Sequence, residues 1–194
     1  MKSKAFGLAV GFIAVIVLAV STSALAQPQK HWTFHGVIND FTPASAPVNG
    51  PWEVRGSWSL TLNDRSGKAD FSAALTMERS DAGVTESGGG DLNNPMDRMA
   101  HTHHITLVNG KVMPTATGFQ VTGPATITKD GAFPPPFGPD LPVLTIEITG
   151  GTGERSVHFS NITVLFGDPA AGHFGSAPLH GVVRSWDYRD ALAR

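Results

Sequence analysis

From Trp52 the chain alternates without a break: Trp52, Val54, Gly56, Trp58, Leu60 and Leu62 take one parity, and Glu53, Arg55, Ser57, Ser59, Thr61 and Asn63 take the other. A period of two sends successive side chains to opposite faces, so this segment predicts a strand with one face in a core. Turn residues follow in Asn63-Asp64-Arg65-Ser66-Gly67. Alternation then resumes, with Ala69, Phe71, Ala73, Leu75 and Met77 inward against Asp70, Ser72, Thr76 and Glu78. The pair reads as a hairpin. Similar patterns predict strands over Trp32–Phe41, His101–Val108, Phe119–Thr128, Val143–Thr149, Val157–Phe166 and Leu179–Trp186, with breakers at Asn109-Gly110, Asp130-Gly131 and Gly150-Gly151. The core is expected to include Trp52, Trp58, Leu60, Leu62, Phe71, Leu75 and Ile146.

Eight strands with no convincing helix predict an all-β antiparallel domain. An eight-stranded barrel is the expected form, because consecutive hairpins make a meander and closing it removes the exposed edges. A two-sheet β-sandwich is the alternative. Gly56-Ser57-Trp58 resembles the G-x-W of lipocalins, which implies a calycin-like barrel with the tryptophan closing one end. That match covers three residues, and Trp186 to Arg194 is short for the helix that follows the barrel in that family. Two connections exceed what a hairpin needs: Ser80–Arg98, rich in glycine, and Ala132–Pro142, rich in proline. Long loops on a rigid scaffold are where binding groups commonly sit.

Before the first strand, Lys2 and Lys4 precede the uncharged apolar run Ala5–Val20, and Ala24-Leu25-Ala26 supplies a small-x-small site. This order predicts a cleaved secretory signal peptide over residues 1–26, a mature single all-β domain over 27–194, and a periplasmic or secreted location. The apolar run of 16 residues is short of the ~20 that cross a bilayer, and no later stretch is long enough, so no membrane span is expected after cleavage. Without the two leader lysines, 12 basic residues stand against 16 acidic ones, a net charge of −4 that disfavours a nucleic-acid partner. No cysteine is present, so stability must come from packing. The sequence contains no G-x-S-x-G, H-E-x-x-H or P-loop pattern and no repeat period.

The chemical signal is histidine. All eight lie beyond residue 26: His31, His35, His101, His103, His104, His158, His173 and His180. In the run His101-Thr102-His103-His104-Ile105, the first and third residues share parity with Ile105 and Leu107 and should face inward, while His104 faces solvent. Two imidazoles at i, i+2 on one face are spaced to hold one ion. With Asn109-Gly110 read as a two-residue turn, His103 falls opposite Ala116 and His101 opposite Gly118. Neutral imidazole suits zinc and copper, and the thioethers of Met96 and Met99 nearby add a preference for copper. That stretch resembles the Met/His-rich segments of periplasmic copper-handling proteins. His173 and His180 are the first candidates for a third ligand, ahead of His35 and His158. Asp91, Asn93 and Asp97 form a weaker calcium candidate.

The leading expectation is thus an exported barrel that binds copper or zinc through His101, His103, His173 and His180, with Met96 and Met99. Two alternatives stand beside it. One is a lipocalin-like carrier of a small apolar ligand, and the other is a small barrel enzyme of isomerase or cyclase type using an interior histidine as acid or base. Oligomeric state is left open.

Overall fold

Each predicted strand forms, and the ends find one another. In the computed structural model, which describes residues 29–43, 51–63, 65–79, 100–131, 141–153 and 156–191, the strands are β1 (Gln29–Phe41), β2 (Trp52–Asn63), β3 (Lys68–Arg79), β4 (His101–Pro114), β5 (Gly118–Gly131), β6 (Val143–Gly153), β7 (Ser156–Phe166) and β8 (Leu179–Ala191). All pair antiparallel with their sequence neighbours, and β8 returns to β1, so the sheet is a closed eight-stranded barrel. Among the described residues the one helical element is the single turn α1 (Ala171–Phe174) between β7 and β8.

Parity carries the packing. The inward residues of the strands merge into one apolar cluster in which Phe34, Val54, Leu60, Leu75, Met77, Leu107, Leu144 and Ile146 are fully buried. Trp58 belongs to it. It lies mid-strand rather than at a barrel end, stacks on Phe71 and packs against Gly36 of β1, where any Cβ would meet its indole ring.

Asn109-Gly110 is not a turn. β4 runs straight through it to Pro114, and the reversal into β5 comes at residues 115–117, closed by Thr115 N–H donating to the Gly118 carbonyl at 3.0 Å. Asn109 adopts φ 58° and donates its N–H to Asp70 Oδ1 at 2.7 Å, while both neighbouring ladders slip by one residue between Leu107 and Lys111. The dipeptide is therefore a β-bulge, and it switches the inward parity from Leu107 to Gly110 and Val112. Its left-handed backbone suits a hairpin and a bulge alike, because asparagine tolerates φ > 0 in either setting. Gly150-Gly151, read as a breaker, is likewise a register shift inside β6.

Since the strands run up and down, the ends of β1, β3, β5 and β7 and the starts of β2, β4, β6 and β8 share one end of the barrel. Both long connections, β3–β4 and β5–β6, leave from that end, and α1 lies there between β7 and β8.

Candidate metal centre

β4 enters this end with His101 and His103 pointing inward. They are 5% and 0% exposed, whereas His104 between them and Ile105 is exposed. Because β4 runs on to Pro114 and reverses only at residues 115–117, their neighbours differ from those expected. His101 pairs with Met77 of β3 and Gly131 of β5, and His103 with Leu75 and Lys129. The small residues Ala116 and Gly118 are not beside them.

Space for a third group comes instead from the β7–β8 connection. Ala170 and Phe174 are buried completely, and Phe174 stacks on Phe166 of β7 with ring centroids 3.9 Å apart, which seats the single turn of α1 in the barrel end. Gly175 then takes φ 92°, a backbone conformation that glycine adopts without strain, and leads the chain toward β8. One residue before Phe174, His173 faces the other two histidines. Its Nε2 lies 2.9 Å from His103 Nε2 and 3.2 Å from His101 Nε2, and ligand nitrogens of all three lie within 4.8 Å of one another. Aromatic rings wall the group: Trp52 meets His101 edge-on at 5.6 Å, and Phe174 meets His103 at 5.0 Å.

Protonation follows from burial. Loss of solvent lowers His103 from its ordinary value to about 3, reinforced by the neighbouring His173, His101 and Lys129 and opposed by a backbone hydrogen bond at Thr128. Burial, His101 and Lys129 lower His173 to about 4. Both rings are therefore neutral near pH 7, the form that ligates metals.

Neutrality creates a shortage at the point where the rings meet. A neutral imidazole offers at each nitrogen either one N–H or one lone pair. His173 Nε2 can thus make a well-formed hydrogen bond with only one of its two close neighbours. A cation at the focus would accept three lone pairs together. A tetrahedral ion with metal–nitrogen bonds of about 2.0–2.1 Å spaces its ligands about 3.3 Å apart, close to the two contacts that His173 makes. The three histidines form a group able to hold a metal ion.

The other candidates lie elsewhere. His180 is exposed on β8, where its backbone N–H and ring Nδ1 both reach Asp40 Oδ2, at 2.7 and 2.9 Å. Burial raises the Asp40 carboxyl, but these hydrogen bonds and one from Phe41 N–H outweigh it and hold the group below its ordinary value. His104 Nε2 lies 2.6 Å from Asp130 Oδ2 on the outer surface. His35 is exposed and His31 half-buried on β1. His158 pairs with Gly151, and its side chain is outside the described residues, as are Met96, Met99, Asp91, Asn93 and Asp97. Lys129 and Phe174, which tune and seat the group, carry no signal in the sequence, because their roles depend on register and on a distant turn.

Comparisons with protein-family models, with curated proteins and with solved structures return no match. Among the described residues, no helix is long and apolar enough to cross a membrane.

Proposed function

We propose that this chain is an exported barrel protein that holds a transition-metal ion, copper or zinc, through His101, His103 and His173. The observation that carries the reading is the convergence of two imidazole nitrogens, His101 Nε2 and His103 Nε2, on that of His173, with contacts of 3.2 and 2.9 Å that the available protons cannot both satisfy. Their seats differ in kind. His101 and His103 stand on a paired strand, while His173 is held by Phe174 on a short turn, so the third ligand is the one that can yield when an ion enters or leaves. Export is supported by the leader pattern of Lys2, Lys4, Ala5–Val20 and Ala24-Leu25-Ala26.

The test is metal analysis of untagged protein, purified and then reloaded separately with copper and zinc. One ion per chain is expected, falling to background in His103→Ala. Absence of stoichiometric metal after reloading would end the reading. Mass spectrometry of the exported product should find Gln27 at the N-terminus, and retention of residues 1–26 would remove the export half alone.

A further inference from the structure

Resting on that metal reading, we propose that Met77 supplies a fourth ligand, its thioether sulfur, and that the completed site is selective for Cu(I). Met77 is directly opposite His101 in the β3–β4 ladder. Antiparallel partners point to the same face with Cβ atoms about 4.5–5.5 Å apart, which three rotatable bonds of a methionine readily span. It is fully buried, and no other methionine among the described residues is. One step along β3, Leu75 fills the equivalent place opposite His103, so the wall accepts a branched hydrocarbon; a thioether stands only where His101 is adjacent.

The charge balance favours the same ion independently. Among the described residues the group of possible ligands contains three histidines and no carboxylate, and Lys129 is opposite His103 on the adjoining strand. A buried, uncharged ligand set beside a cation compensates a single positive charge better than a double one. Soft sulfur adds chemical preference to that electrostatic one, since thioethers select Cu(I) over zinc.

The experiment uses the full chain, loaded anaerobically with Cu(I) or with Zn(II), in competition with a chromogenic chelator. Met77→Leu keeps volume and apolarity. It should lower Cu(I) affinity by about tenfold, or about 1.4 kcal/mol, and leave Zn(II) affinity unchanged. X-ray absorption at the copper edge should show one sulfur scatterer in the parent protein and none in Met77→Leu. The Met96→Leu/Met99→Leu double variant should keep that scatterer, which tests the assignment even if Met77→Leu does not fold. A sulfur signal that survives Met77→Leu, or that vanishes in the double variant, would overturn the assignment while the three-histidine reading stood. Parent protein that takes up neither ion would instead overturn the three-histidine reading, and this inference with it.

Discussion

His173 Nε2 lies 2.9 Å from His103 Nε2 although the two residues are 70 positions apart in the chain. One is carried by a strand and the other by a single helical turn, and both are kept neutral by burial. That relationship sorts the histidines by function. Alanine at 101, 103 or 173 should abolish stoichiometric metal binding, whereas His104→Ala and His180→Ala should leave it intact and shift stability within the ~0.5 kcal/mol of surface changes. Parallel metal titrations and thermal melts of the five variants check this. Sensitivity at His104 with silence at His103 would refute the site.

Acid should destabilise the metal-free barrel over a defined window. His103 and His173 titrate near 3 and 4 in the fold but near 6.5 when unfolded, so between those limits the unfolded chain binds more protons. Stability is then lost as pH falls below about 6.5, by on the order of 3–5 kcal/mol for each group once its folded value is reached. Denaturant titrations from pH 7 to 4 should show the loss, and His103→Leu should flatten the curve. An unchanged slope in that variant would contradict the neutral buried state of His103.

Lys129 opposes protonation of His103 and His173 and would oppose a metal ion held there in the same way. Lys129→Met keeps the aliphatic stem and removes the charge, so it should tighten metal binding by about 0.5–1 kcal/mol. Competition with a chelator at fixed ionic strength measures the change. Weaker binding would mean that Lys129 supports the site rather than opposing it.

Phe174 seats His173, the proposed third ligand. Phe174→Ala removes a fully buried ring that stacks on Phe166, which should cost about 3–5 kcal/mol of stability. Because that ring also holds α1 in place, metal affinity should fall with it even though every imidazole is retained. A melt at the parent midpoint with parent affinity would show that α1 is positioned by something else.

Much of this architecture is legible in the chain. Strict alternation through Trp52–Asn63 and Lys68–Arg79 defines paired strands with one buried face, since only that geometry turns every second residue inward. The same parity puts His101 and His103 inside and His104 outside. Asn109-Gly110 was the misleading signal: it reads as a hairpin, yet its left-handed asparagine forms a bulge in a strand that continues to Pro114. Hydrogen bonding to Asp70 and the register of β3 and β5 decide between the two, and Asp70 and β3 are remote in sequence.

By itself, then, the sequence determined the strand pattern, the all-β class and the facing of the β4 histidines, because those depend on a local period of two. Tertiary structure alone decided which residues surround them. Choosing His173 over His180 needed the closure of β8 onto β1 and the burial of Phe174 between them in the chain, which turn one histidine into the barrel and leave the other paired with Asp40 outside. Placing Met77 opposite His101 needed the β3–β4 register across a connection of more than twenty residues. Such contacts are set by packing between distant segments, and no local pattern encodes them.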